Sequence, residues 1–299
     1  MSAVNTSPAH VYDAGLTPGP LALLREGIDD VLSRRRLIRY LARAEMKKKG
    51  ANTLLGNIWW VMDPLLQMAV YVILVEIIRP RSTPDYPLFV LSAILPWKWF
   101  TASIQDSTSS VVGQERLIRQ IQFPKIVLPL AAVTSGIVDF AFGMIPLAAI
   151  MLLFPERISP YPLLIPFIAI VQYVFTLSLG LLVAAGNVYF RDLGNVVRHA
   201  LRLWWFLSPG LYSISQLADS AFFKDHHFFL ELALVNPFAI LLTAYRTVVY
   251  GSIETGGGQL PPHMPDWASL GGLLAVSAVL VALATILFKR LEPSFAKVL

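Results

Sequence analysis

The sequence predicts an all-α, polytopic membrane protein with six transmembrane helices, an N-terminal cytoplasmic interface helix and an outer re-entrant segment. Three observations lead there. Charge is scarce: 56% of the 299 residues are hydrophobic and 14% are charged, against about 25% charged in an ordinary soluble domain. The apolar residues come in runs of about 20, the length at which a helix crosses a hydrocarbon core about 30 Å thick, and a helix satisfies its own backbone there. Finally, eighteen of the 24 Lys and Arg fall on segments that a single topology places on one side. By the positive-inside rule that side is the cytoplasm, with both termini on it.

Taken in order, residues 1–20 are polar and contain Pro and Gly. They read as a disordered tail without the apolar core of a signal peptide, so the first span is expected to act as its own insertion signal. In residues 21–50, Leu24, Ile28, Val31 and Leu32, then Leu37, Ile38 and Leu41, keep helical spacing among Arg34, Arg35, Arg36, Arg39, Arg43, Lys47, Lys48 and Lys49. A basic amphipathic helix of this kind lies in the interface and favours an anionic leaflet; the plainer reading is a cluster that only sets topology. Residues 51–299 form the transmembrane domain. Its spans are expected at 57–78, 86–112 (interrupted by Pro96), 126–154, 161–190, 199–215 (short and aromatic) and 267–288. Residues 216–250 are apolar but broken at Asn236-Pro237, a helix start made of a capping residue and a proline. Each half is too short to span, so the segment reads as a re-entrant hairpin or a pair of interfacial helices on the outer side.

Between the second and third spans lies GQERLIRQIQFPKIVLPL, residues 113–130, with Glu115, Arg116, Arg119 and Lys125. Leu117, Ile118 and Ile121 suit a short amphipathic helix, which Phe123-Pro124 ends. It is either a solvated basic loop or a coupling helix that a partner protein pushes on. Within spans, Asp63 and Glu76 lie near the ends, whereas Lys98 and Asp139 fall roughly 18–20 Å from the ends of theirs. Ionisable groups at that depth pair or face a lumen: Lys98 and Asp139 either pair with each other or face a lumen, the plainer reading being separate satisfaction by backbone and water. Trp59, Trp60, Trp204 and Trp205 suit interface belts, whereas Trp97 and Trp99 fall mid-span.

Several classes drop out. The chain has no cysteine, which removes disulfide, Cys-zinc and thiol chemistry. No G-x-x-x-x-G-K-[ST] loop and no G-x-S-x-G elbow occur, so no means of hydrolysing a nucleotide is visible. The adjacent His226-His227 share no helix face for a metal. No cofactor is expected, and the net charge of +5 reflects cytoplasmic loops rather than nucleic acid.

LLGNIWWVMDPLLQ (54–67), LPWKWF (95–100), QERLIRQIQFPKIVLPL (114–130), NVYFRDLGNVV (187–197), SPGLY (208–212) and NPFAILLTAYR (236–246) resemble, in order, segments of the permeases of type-2 ABC exporters of polysaccharides. The resemblance implies a homodimeric channel in the inner membrane with two cytoplasmic ATPase subunits, moving a lipid-linked O-antigen-type glycan. Teichoic acid, capsule or a small lipid or drug is the alternative cargo. From other classes, a membrane-embedded glycan-transferring enzyme lacks the expected interfacial cluster of carboxylates, and an ion-coupled carrier lacks paired broken helices. On this reading Glu115, Arg116, Arg119 and Phe123, with the turn at Arg191 and Asp192, meet the ATPase. Arg34, Arg35, Arg36 and Arg39 receive a lipid diphosphate through planar guanidinium forks. Trp97 or Trp99, with Trp205 and Tyr212, line a path on which sugar C–H faces stack. Lys98 inside a span, the long N-terminal extension and the Gly/Pro-rich loop 251–266 depart from the family pattern.

Overall fold

The computed structural model describes residues 18–50, 56–78, 83–225, 227–254 and 258–299. Residues 1–17 of the tail expected at 1–20, the Leu54-Leu55 start of the first-span motif, Arg79, Arg81, His226 and residues 255–257 lie outside the described residues, and Pro20, the last residue of that expected tail, already opens a helix. Helix α1, Pro20–Ser33, carries proline at its first position, where the missing N–H costs nothing. The backbone opens at Arg34 (φ −99°, ψ 17°) and resumes as α2, Arg35–Gly50. The one interface helix read from the sequence is therefore two. Ser33 bonds back to the Asp30 carbonyl at the junction, a local competitor of the helix ladder.

The chain enters α3, Trp59–Ile78, through a turn at Gly56–Ile58 in which Gly56 has φ +52°, a region that favours glycine. Then come α4, Tyr86–Ser110; the short α5, Glu115–Gln120; α6, Val127–Met151; and α7, Ile165–Tyr189, which a 3-10 turn extends back to Tyr161. Helix α8, Leu193–Leu207, is followed by α9 (Ile214–Asp219), α10 (Ala221–Asp225), α11 (His227–Val235) and α12 (Pro237–Val249). Strands β1 (Ser252–Ile253) and β2 (Gln259–Leu260) pair antiparallel in the loop before α13, Trp267–Val298.

Among the described residues five helices are long and apolar enough to cross a membrane: α3, α4, α6, α7 with its leading turn, and α13. The protein is an all-α polytopic membrane protein. The span expected at 199–215 differs from α8, which starts six residues earlier and stops at Leu207, before Pro209. Its 15 residues rise roughly 22 Å, less than the core of about 30 Å. In the segment read as re-entrant, the Asn236-Pro237 break is present, with the Asn236 side chain capping α12. Helix α12 is packed into the protein, with Phe238, Leu241, Leu242 and Val248 fully buried.

Helix α4 is the centre of the bundle. Its most apolar stretch is 78% buried, against 6% for that of α3. Helices α6 and α7 flank α4, α13 lies along α7, α12 packs across α4, α1 rests on α13 and α2 on α6. Gly27 makes the α1–α13 approach possible, since a Cβ there would lie 2.5 Å from Thr285 Cγ2. At depth, Gln172 of α7 donates to the Pro96 carbonyl of α4 (2.8 Å). One apolar core surrounds Phe89, Trp97, Phe100 and Phe238. A second joins Ile38, Ile118, Phe288 and Phe295 at what we call the basic end, where α1, α2, α5 and the end of α13 meet.

Candidate functional site

The basic end gathers most of the charged residues singled out in the sequence. Helix α5 stops earlier than the Phe123-Pro124 end expected: Ile121 is already extended (φ −130°, ψ 133°). Glu115 and Arg119 pair one turn apart at 2.9 Å on its exposed face, and Arg116 is exposed. Arg119 also donates to the Leu299 carbonyl, and the Lys125 N–H to Glu292. The turn at Phe190–Asp192 stands on the other side of the same helix end. Tyr189 meets Ser294, and its ring packs edge-on against Phe295. Arg191 and Asp192 are exposed. The last turns of α13 thus lie between the two segments and fix their spacing. Arg34, Arg35, Arg36 and Arg39 are all exposed at the α1–α2 junction.

Lys289 organises this end. It is 7% exposed, and its ammonium reaches Asp30 at 2.8 Å, Glu292 at 2.8 Å and Glu26 at 2.9 Å. Beside it, between α1, α5 and α13, is a cavity of about 900 Å³ lined by Glu26, Asp30, Arg119, Phe123, Lys289 and Glu292. A buried lysine is tolerated because several carboxylates replace its water.

The charges inside spans are paired, but not with each other. Lys98 of α4 bonds Asp63 of α3. Asp139 of α6 instead accepts from Lys49, the penultimate residue of α2, at 2.7 Å, and Lys49 lies 2.9 Å from Asp106 of α4. A mutual Lys98–Asp139 pair is therefore not formed; each finds a nearer partner on the segment that precedes or opens α3. Burial pulls the Lys49 ammonium down, but Asp106 and Asp139 together outweigh it and hold its pKa above the ordinary 10.5.

Three of the four aromatic residues assigned to a sugar path lie inside the protomer: Trp97, Trp99 and Trp205 are 5%, 2% and 4% exposed. Trp97 meets Trp205 (5.3 Å between ring centres) and Phe238 (4.8 Å), whereas Trp99 stacks on Phe140 (5.0 Å), apart from that pair. Tyr212 lies beyond the end of α8, so it does not share a helix face with Trp205. Its hydroxyl donates to the Phe206 carbonyl, burial raises its pKa, and it borders an apolar cavity of about 730 Å³ with Trp204, Leu217 and Leu232.

The turn 208–212 is held by residues whose role the sequence did not reveal. The Asn236 side chain accepts from Phe238 N (3.0 Å) and Trp204 Nε1 (2.9 Å), and donates to Ser208 Oγ (3.0 Å). Arg246, 4% exposed, donates to the carbonyls of Pro209 (2.8 Å), Gly210 (3.0 Å) and Tyr212 (3.1 Å). On the same side Arg157 bonds Asp85, the one non-glycine residue with positive φ (51°) among the described residues. The sequence likewise gives no sign of the pairing of Lys49 with Asp106 or of Lys289 with Glu292: Lys49 reads there as part of the basic interface helix and Lys289 as one of the cytoplasmic charges. An in-helix charge near an acidic neighbour of another span is the signal that was available.

No protein-family model matches the chain. It is 31% identical to the O-antigen export system permease protein RfbA of Myxococcus xanthus over 88% of this chain and 95% of that protein. It is 23% and 24% identical to two O-antigen export system permease proteins RfbA of Klebsiella pneumoniae, again over 88% of this chain and 95% of theirs. With an all-helical fold that places the motifs of 114–130, 187–197, 208–212 and 236–246 on connected structure, this chain belongs to the O-antigen export permeases, the membrane subunits of ABC-2 type polysaccharide exporters.

Proposed function

We propose that the protein forms a homodimeric channel in the inner membrane through which two ATPase subunits drive a lipid-linked, O-antigen-type glycan outward. The observation that carries this is the basic end. Two exposed, compact segments, α5 and the turn at Arg191-Asp192, stand on one face with the end of α13 between them. Such a pair can transmit a push from a partner because neither moves without the spans behind it. Under the positive-inside rule this end is cytoplasmic, and both termini with it. The second copy covers α3, whose apolar residues Val70, Ile73 and Ile77 are 60–73% exposed.

Within this reading, Glu115, Arg116, Arg119, Phe123, Arg191 and Asp192 meet the ATPase. Arg34, Arg35, Arg36 and Arg39 receive the diphosphate of the carrier lipid, because exposed guanidinium forks pair with phosphate bidentately. The sugar path on Trp97, Trp99, Trp205 and Tyr212 is retained for Tyr212, at a cavity; the three tryptophans support it from the protomer core in this conformation. The test is deletion of the gene in its host. Glycan trapped on the inner side and absent from the surface, restored by the intact gene, is the expected result; unchanged surface glycan contradicts the proposal.

A further inference from the structure

We infer that the exposed face of α8 binds a lipid diphosphate, with Arg198 and Arg202 on its phosphates and an apolar strip beside them under its chain. The inference rests on the glycan-export reading and deepens it, because the ligand is the carrier lipid. The packing of α8 fixes the depth of the site. A Cβ on Gly194 would lie 3.8 Å from Thr108 Cγ2, and Trp205 meets Trp97 at 5.3 Å between ring centres. The two contacts are eleven residues apart on both helices, so α8 runs antiparallel beside α4 for roughly 16 Å. That register sets Arg198 level with Ile104 and Arg202 level with Phe100. Phe100 lies ten residues from the end of α4 at Ser110, roughly 15 Å along the helix. Arg202 thus stands well within the depth of a hydrocarbon core about 30 Å thick.

Both arginines are exposed. Helix α8 carries no acidic residue, and among the described residues neither guanidinium has an ion pair. Asp63 and Asp106, the acids of α3 and α4 in the half nearer the basic end, are held by Lys98 and Lys49. Topology alone does not call for charges this deep, and like charges one turn apart weaken a helix. At such depth a charge needs water or a partner. The exposed face of α8 is divided. Asn195, Arg198, His199 and Arg202 follow i, i+3, i+4, i+7 and make a polar strip. Val196, Leu203 and Leu207, at i, i+7 and i+11, make an apolar strip beside it and are 57–69% exposed. Two guanidinium forks about 5–6 Å apart, as i,i+4 neighbours are, suit a compact anion with several oxygens, each fork taking a phosphate through two parallel bonds. A free phosphate or an acidic sugar leaves the apolar strip in water. A lipid diphosphate uses both strips, so α8 is a second station beyond Arg34, Arg35, Arg36 and Arg39.

The experiment uses the full-length permease with its ATPase in nanodiscs. His199→Cys places a single thiol in the polar strip, at an exposed position of a chain without native cysteine. The readout is the ratio of its modification rates by an anionic and a cationic methanethiosulfonate, divided by the same ratio for a free thiol in solution. This cancels the reactivity of the thiol itself. The ratio is expected to exceed one by at least about tenfold, and to lose that excess when Arg198→Gln and Arg202→Gln are added. The probe is farnesyl diphosphate. It is expected to slow modification at a concentration at least about tenfold below that of inorganic diphosphate, with farnesol inert. No excess of the anionic reagent, as an acid of the second copy seated on these arginines would give, overturns the site. So does equal protection by farnesyl diphosphate with and without the two arginines. Equal potency of inorganic diphosphate overturns the lipid as occupant. These outcomes differ from failure of the export reading, in which deletion of the gene leaves surface glycan unchanged.

Discussion

The ammonium of Lys49 lies 2.7 Å from Oδ2 of Asp139, ninety residues further along the chain. This pair, with Asp106 at 2.9 Å, pins the last turn of the amphipathic N-terminal segment to the middle of α6. The segment is therefore part of the bundle and not only a topological signal. Removing the cation leaves two carboxylates facing each other without compensation. With side chains 20–37% exposed, the cost is discounted from that of a fully buried pair to about 1–2 kcal/mol. We predict that Lys49→Met lowers the melting temperature of the purified protein, and that Lys49→Met with Asp139→Asn recovers most of the loss; additive losses in this double-mutant cycle contradict the pairing. The Lys49 pKa is raised in the fold above 10.5. Its contribution is thus complete below that value and fades only as pH rises through the raised one. Between pH 6 and pH 9 the difference between Lys49→Met and the unmodified protein is expected to stay constant.

Arg246 is expected to be the costliest single residue at the end opposite α5. It is 4% exposed, satisfies three carbonyls and lies 3.7 Å over the Phe89 ring. Arg246→Ala strips all of these contacts and should destabilise by about 3 kcal/mol or more. Arg246→Lys should recover only part, because a point ammonium cannot reproduce the fork. A melting temperature for Arg246→Ala equal to that of the unmodified protein contradicts this account.

Gly27 tests how α1 is held. A Cβ there meets Thr285 at 2.5 Å, so Gly27→Val forces α1 away from α13 and strains the Lys289 cluster. We predict faster tryptic cleavage after Arg25 and Arg34 in folded protein, with little change in the far end of the molecule. The same cleavage rate in Gly27→Val and the unmodified protein shows that the approach is not tight.

The coupling surface is open to direct test because the chain has no native cysteine. Cysteines at Arg116 and at Asp192, both exposed, should crosslink to the ATPase with a yield that changes between nucleotide-free and ATP-bound states. Absence of crosslinks from both positions rules out this face as the contact. Arg191→Ala is expected to separate ATP hydrolysis from export more than it lowers the amount of protein in the membrane.

Much of this fold is legible in the sequence. Long apolar runs fix α3, α4, α6 and α7 to within a few residues and α13 at its start, because length and apolarity are what a bilayer demands; α13 runs ten residues past the expected end at 288, through the polar stretch to Val298. The break at Asn236-Pro237 is legible for the same kind of reason, since a side-chain cap and a proline act locally. The end of α8 is not: the apolar, aromatic window 199–215 hides a stop that Pro209 imposes. The partners of Lys98 and Asp139 are also hidden, because depth along a helix says how far in a charge lies but not which face it presents. Nor does spacing distinguish a tryptophan lining a lumen from one packed as Trp97 is, against Phe238 and Trp205. That distinction comes from tertiary packing, which a local pattern does not contain.

The most direct measurement of the central claim uses inverted membrane vesicles that carry the permease, its ATPase and the labelled lipid-linked glycan on their outer face, which corresponds to the cytoplasmic side. Periodate added outside oxidises glycan that has not crossed. The account predicts that ATP makes a growing fraction of glycan resistant to periodate, and that the fraction falls to background in vesicles lacking the permease. Glycan that stays equally oxidisable with and without ATP, in vesicles whose ATPase is active, contradicts it.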